Sequence, residues 1–252
     1  MHYFIINLKN KLVYRWEAFF NMLTNMVYVF VNTCLWVFLY RMDQELVIYM
    51  IRYTVISNII SLFYLRNVAR NIGKKIVDGS IIMDLLKPTN FFFMTWQTEL
   101  AEMLSDVVLF GVPLIACFAY FLFVSPKYYA VITTLLAVLL GHIFYFLIYS
   151  FIGLMAFVFI SIDYHVRLIN DTIRLIAGSF IPIAILPGSL QTVARSLPFR
   201  YLFSFPLELL LNEKVTDISL NFIILISWIA FFTLLNFIAY RIVIRKIAVQ
   251  GG

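Results

Sequence analysis

Six stretches of this chain are apolar for about as long as a bilayer is thick, and little else in the sequence constrains its fold as strongly. A membrane-spanning helix needs roughly 20 apolar residues, rising about 1.5 Å each through a hydrocarbon layer of about 30 Å. The stretches are Ala18–Tyr40, Leu46–Leu65, Val107–Val124, Ala130–Val158, Leu168–Leu186 and Ile218–Tyr240. The first and last hold no charge; Arg52 lies in the second, and Asp171 and Arg174 lie in the fifth. Only 13% of the residues are charged, against about a quarter in a soluble domain. The sequence therefore predicts an all-α integral membrane protein of six transmembrane helices, residues 1–252 forming one transmembrane domain. The uncharged stretch around the fourth span runs from Tyr128 to Ile162, longer than one crossing requires, which predicts a tilted or projecting helix.

The net charge of +6 follows from topology. Counting ends alternately, one side carries twelve positive residues: Lys9, Lys11, Arg15, Arg66, Arg70, Lys74, Lys75, Lys87, Arg167, Arg241, Arg245 and Lys246. The other side carries five: Arg41, Lys127, Arg195, Arg200 and Lys214. Positive residues are retained on the cytoplasmic side. Both termini are thus expected in the cytoplasm of a multi-pass cell-membrane protein, and no nucleic-acid partner is needed to explain the basic balance. Residues 1–17 read as a surface helix. Ile5, Leu8, Leu12 and Trp16 share one side and Asn7, Asn10 and Lys11 the other, with Lys9 snorkelling; the competing reading extends the first span. The apolar run after this lead is too long for a secretory signal and no small-residue cleavage site follows it, so it is expected to remain as a span.

Catalytic signatures are missing from the sequence. No Gly-rich phosphate loop ending in Gly-Lys-Ser/Thr is present. His2, His142 and His165 are far apart in sequence, which argues against a metal site. Cys34 and Cys117 lie within apolar runs and read as small buried hydrophobes. Ala177-Gly178-Ser179-Phe180 resembles a membrane serine protease turn, but no histidine follows it to act as base.

Two connections carry the informative patterns. Residues 66–106 join spans two and three and are basic, yet the apolar residues Ile72, Ile76 and those of the stretch Ile81 to Leu86 need a surface to bury against. That surface is either lipid headgroups or a cytoplasmic partner. Gly79 marks a helix stop and Pro88 a change of direction. Residues 187–217 are apolar but interrupted by Pro187, Pro198 and Pro206, so they read as short re-entrant helices on the outer side. Charges cluster at two further places. Arg167, Asp171 and Arg174 share one face of span five, and Glu99, Glu102 and Asp106 share a face at the start of span three. Both trios are expected near the cytoplasmic interface as structural ion pairs or coupling elements, in preference to substrate contacts. Arg52 reads either as an outward anchor or as a residue of the exit path.

The order of these motifs resembles the permease subunit of a type-2 ABC exporter. The family pattern Gly-x-x-x-x-x-Leu-Leu-Lys/Arg-Pro after span two corresponds to Gly79 through Leu85-Leu86-Lys87-Pro88. Its outer segment corresponds to Leu186-Pro187, Leu197-Pro198-Phe199 and Phe205-Pro206. The resemblance covers nearly the whole chain. It implies a pathway formed with a second permease, identical or paralogous, in the lipid bilayer. It also implies ABC ATPase subunits that hold ATP and Mg, with no cofactor on this chain and no catalysis by it. The coupling residues so implied are Arg70, Lys74, Lys75, Ile76, Asp78, Gly79, Leu85 and Leu86. Pro187, Pro198, Phe199 and Pro206 fall in the re-entrant gate. A secondary transporter or channel is the competing reading; it would call for inverted repeats or paired midplane charges, and neither is found.

Overall fold

The structure, a computed structural model, describes residues 15–65, 67–122, 128–157, 162–211, 215 and 217–250. The expected surface helix falls almost wholly on residues outside this set. All regular structure among the described residues is helical. Among the described residues five helices are long and apolar enough to cross a membrane, within Met22–Leu39, Gln44–Leu62, Phe91–Cys117, Tyr128–Leu154 and Ile218–Arg245.

The first crossing helix, α1 (Arg15–Leu39), settles its polar side chains on its own backbone. The Thr24 hydroxyl donates to the Phe20 carbonyl at 2.8 Å, Asn32 Nδ2 to Tyr28 at 2.8 Å and Thr33 to Val29 at 2.9 Å. In hydrocarbon a polar group without such a partner costs several kcal/mol. A tight turn leads to α2 (Gln44–Leu62), where the Asp43 carboxylate caps the helix by accepting from the Leu46 N–H at 3.0 Å. Two short helices follow, α3 (Val68–Val77) and α4 (Ile81–Leu85). Asn90 then caps α5 (Phe91–Asp106), accepting from the N–H groups of Phe92 and Phe93 at 2.9 and 3.2 Å. A π-helical turn at Val107–Gly111 joins α5 to α6 (Val112–Leu122) as one interrupted rod. Pro113 stands just beyond this turn; its ring cannot accommodate a regular i−4 carbonyl, and the widened turn relieves the clash.

The central element is α7 (Tyr128–Leu154). Its residues Phe144, Tyr145, Ile148, Tyr149 and Ile152 belong to the main buried cluster, together with side chains of α2, α3 and the carboxyl-terminal α11 (Ile218–Gln250). Asn236 of α11 ties the two longest helices together by donating to the Leu147 carbonyl at 2.8 Å. At Gly153 the backbone of α3 comes close: a Cβ there would lie 2.8 Å from Ile72 Cβ and 3.0 Å from the Ala69 carbonyl oxygen.

The fifth apolar run does not form a spanning helix of its own. Helix α8 (Ile162–Ile176) starts six residues before it and stops ten residues short of its end. At about 1.5 Å per residue α8 is about 22 Å long, less than a bilayer core. The stop is a Schellman motif: Ser179 N–H donates to the Arg174 carbonyl at 3.0 Å and Gly178 N–H to Leu175 at 3.3 Å, with Gly178 at φ +78°. This accounts for Ala177-Gly178-Ser179-Phe180 as a helix stop. The carbonyls freed by the stop are satisfied inside the bundle. Tyr53 donates to Gly178, and Ser57 donates to Ser179 at 2.7 Å. A 3-10 turn at Ile183–Ile185, helix α9 (Gly188–Ser196), a 3-10 turn at Pro198–Tyr201 and helix α10 (Ser204–Leu210) complete the segment before α11.

Candidate functional site

The connection between α2 and α5 is a folded hairpin. Helix α3 is amphipathic: Val68, Ala69, Ile72 and Gly73 are buried against α7, whereas Lys74 and Val77 are exposed. Its amino-terminal end is fastened to α5 through two asparagines. Asn71 Nδ2 donates to Glu99 Oε1 at 2.6 Å, and Asn67 Nδ2 to Glu102 Oε2 at 3.0 Å. Glu99 is buried and serves, with Glu102, as an acceptor for α3. Asp106, half-buried at the end of α5, makes interactions of its own.

The chain then leaves α3 through exposed Asp78 and Gly79, the latter at φ +71°, and enters α4. Asp84 holds the hairpin shut, since its carboxylate accepts from Lys75 Nζ at 2.6 Å and from Lys87 Nζ at 2.7 Å. Burial pushes the Asp84 carboxyl up, but the hydrogen bonds and charges of the two lysines outweigh it and hold the group below its ordinary range. Asp84 was not among the residues singled out by sequence. Its signal was an acid inside a run of bases, spaced nine residues from Lys75 and three from Lys87.

Among the expected coupling residues, Arg70 turns inward to line a cavity and Ile76 packs half-buried on the chain's own core. Leu85 ends α4, and Leu86 stands 76% exposed. The apolar side chains presented outward are Val77, Ile82, Met83 and Leu86.

The segment between α8 and α11 is exposed along much of α9 and buried beyond it. Pro187 is exposed and precedes α9; Pro198 is buried at the start of a 3-10 turn, and Phe199 packs half-buried on the core. Pro206 is buried in α10, its carbonyl 3.5 Å from the Thr134 hydroxyl. All residues from Tyr201 to Leu207 are buried. Tyr64 donates to the Leu202 carbonyl, and its ring meets Phe203 edge-on at 5.2 Å. The half-buried pair Arg200–Glu208 at 3.3 Å is braced by the Ser204 hydroxyl, which donates to Glu208 at 2.5 Å.

The charges of α8 separate by role. Asp171 is exposed. Arg174 donates from Nε to the Ser179 hydroxyl at 3.4 Å, and its guanidinium lies 4.6 Å from the centre of the Phe180 ring. Arg167 has neither an ion pair nor a hydrogen bond with any described residue. Arg167 and Arg174 reach the same cavity as Arg70, a space of about 300 Å³ between α1, α2, α3, α7 and α8. Elsewhere in the bundle, both ring nitrogens of His142 are engaged, Nε2 accepting from the Trp96 indole at 3.0 Å and Nδ1 lying 2.7 Å from the Phe63 carbonyl. Arg52 is half-buried in α2.

The bundle of membrane-length helices carries a braced amphipathic hairpin between α2 and α5 and two short helices, α9 and α10, between α8 and α11. The chain belongs to the ABC-2 family transporter proteins, whose family pattern it matches over residues 19–251. No curated protein and no solved structure matches it significantly.

Proposed function

We propose that this permease is the transmembrane subunit of an ATP-driven exporter, paired with a second permease and powered by separate ATPase subunits that bind ATP and Mg. The observation that carries the reading is the face formed by Val77, Ile82, Met83 and Leu86. These four apolar side chains are 45–76% exposed on a hairpin that the bundle itself holds rigid. A rigid element with an uncovered apolar face transmits motion when a partner packs on it, and a loose loop does not. The face of the hairpin displaces the contact from Ile76, which is occupied by the core, to residues on and after α4. In this reading the hairpin lies in the cytoplasm of a cell-membrane protein. Helix α8 and the stretch 177–186 together make the sixth crossing, so that both termini remain cytoplasmic as the positive charges require. The short helices α9 and α10 then close the pathway from outside.

Met83→Asp tests the docking face. It puts a charge on a side chain that is 68% exposed, so the permease should fold and reach the membrane in normal amount. Inside an interface the same charge is unpaired and desolvated, which costs several kcal/mol. Expected is a loss of ATPase co-purification and of export at equal permease abundance. Normal co-purification and export by the variant would remove the hairpin from the coupling role.

A further inference from the structure

We propose that the cavity between α1, α2, α3, α7 and α8 binds a neutral, hydroxyl-rich ligand the size of a single sugar unit. The space is about 300 Å³, at the small end for ligand pockets. Of the described residues lining it, only Val166 and Phe203 lack a nitrogen or oxygen in the side chain. At bilayer depth polar side chains need water, a ligand or each other, because hydrocarbon leaves them unsatisfied. An acyl chain or an apolar ring in this space would strip water from the wall and return no hydrogen bonds.

The bonds already made within the wall narrow the ligand further. Asn58 of α2 donates from Nδ2 to the Thr54 carbonyl at 3.0 Å, and its Oδ1 accepts from no described residue. The Ser61 hydroxyl donates to the Asn58 carbonyl at 2.7 Å and the Thr24 hydroxyl to the Phe20 carbonyl at 2.8 Å, which leaves both oxygens as acceptors. On α8 the pattern is inverted. Asn170 Oδ1 accepts from Tyr149 at 2.7 Å, so its amide N–H groups are the part left to donate. Acceptors on α1 and α2 thus share one space with donors on α8. An anion would answer the donors and leave the acceptors bare. A hydroxyl group both donates and accepts, so a ring that bears several meets both kinds of wall. Charge does not select the ligand, because Asp171 shares a face of α8 with Arg167 and Arg174, and its charge acts on Tyr149 of the same wall. Taking this ligand as the cargo, or as the polar end of it, rests on the permease reading; its binding does not.

The test uses the full chain in phosphatidylcholine nanodiscs and fluorine NMR, with N-trifluoroacetyl glucosamine and its galacto and manno isomers as probes. Saturable line broadening is expected with at least one of the three. N-trifluoroacetyl cyclohexylamine, a ring of similar size without hydroxyls, should show no saturable binding. N58L removes the Asn58 acceptor and should weaken sugar binding about tenfold, and S61A should weaken it severalfold. T192V, on the exposed side of α9 outside the cavity, should leave it unchanged. S61A deletes a single oxygen whose bond lies within its own helix, so it keeps the test independent of folding should N58L lower the yield. Absence of saturable binding by all three sugars, equal binding of the cyclohexyl probe, or wild-type affinity in S61A overturns the proposal. Tighter saturable binding of N-trifluoroacetyl diglycine amide than of any sugar overturns it in favour of a peptide. The permease reading is judged separately, by ATPase co-purification with the unaltered chain: either result can fail while the other stands.

Discussion

The two interruptions in the helical bundle solve the same problem in opposite ways. From Tyr201 to Leu207, ahead of α11, the chain turns its apolar side chains inward; Leu202, Phe205 and Leu207 are wholly buried, and carbonyls at Gly178, Ser179 and Leu202 receive hydroxyl donors from α2 and Tyr64. Between α2 and α5 the chain braces its backbone just as firmly, through Asn67, Asn71 and Asp84, yet leaves Val77, Ile82, Met83 and Leu86 facing out. The stretch from Tyr201 to Leu207 is complete within this chain. The other is rigid but uncovered, which is the condition of a surface made for something else. An apolar side chain thus has different value in the two places, and substitutions should reveal it.

Leu207→Asp should have the largest effect. Leu207 is fully buried in α10, so a carboxylate there is desolvated. The cost is several kcal/mol, comparable to the whole stability of a typical domain. Loss of folded, detergent-extractable protein is expected, measured by size-exclusion of a fluorescent fusion. Met83→Asp, the same chemistry on the hairpin, should leave that profile intact. Equal profiles for the two variants would abolish the contrast between the segments.

Gly178→Ala should come next. An added Cβ would lie 3.0 Å from Ile183 Cγ1 and 3.2 Å from both Ser204 Cβ and the Tyr53 hydroxyl, at a φ of +78° that alanine disfavours. Strain and crowding of this kind cost roughly 1–3 kcal/mol. The melting temperature of the purified protein should fall by several degrees, while Gly79→Ala, with a similar φ of +71° but open space around it, should lower it less. An unchanged melting temperature for Gly178→Ala would mean that the stop in α8 is not held by this packing.

These particulars also explain what could be read from residues alone. Runs such as Ala18–Tyr40 and Ile218–Tyr240 became α1 and α11 because uninterrupted apolar sequence leaves a helix as its main option in a bilayer. The third apolar run starts at Val107, but its helix begins at Phe91; Glu99 and Glu102, expected on one face at the start of that span, sit on the helix as acceptors for Asn71 and Asn67, which hydropathy does not count. The fifth failed as a single span because hydropathy counts Ala177-Gly178-Ser179 as ordinary span residues, whereas the stop depends on a left-handed Gly178 and on Tyr53 and Ser57, more than a hundred residues away. The Gly79–Pro88 pattern located the hairpin correctly in the chain. It did not tell which apolar residues face out, since that depends on how closely Gly153 lets α3 approach α7. The meeting of Arg70 with Arg167 and Arg174 was equally invisible, being a product of tertiary packing between α3 and α8.

The smallest effect should come from Asp84, and it refines the idea that the hairpin is rigid in itself. The folded-state pKa of Asp84 is held below its ordinary value of 3.8. A carboxylate of this kind contributes stability that is fully present above the unfolded pKa and is lost as pH falls through the folded one. The hairpin clamp should therefore be constant from neutral pH down to about pH 5 and release only below about pH 4. Lys75 and Lys87 have side chains 37% and 52% exposed, so solvent screens both pairs and the contribution is about 1 kcal/mol. Asp84→Asn removes the clamp at every pH and leaves the two lysines as near neighbours. Amide hydrogen exchange between residues 78 and 87 should rise severalfold in the variant at pH 7, with exchange in α7 unchanged and overall melting scarcely moved. The wild type should approach the variant only at acidic pH. If exchange in this stretch is the same in both proteins at neutral pH, the stiffness of the hairpin arises from the burial of Ile72 and Ile81 alone, and the paired lysines serve the exposed face rather than the fold.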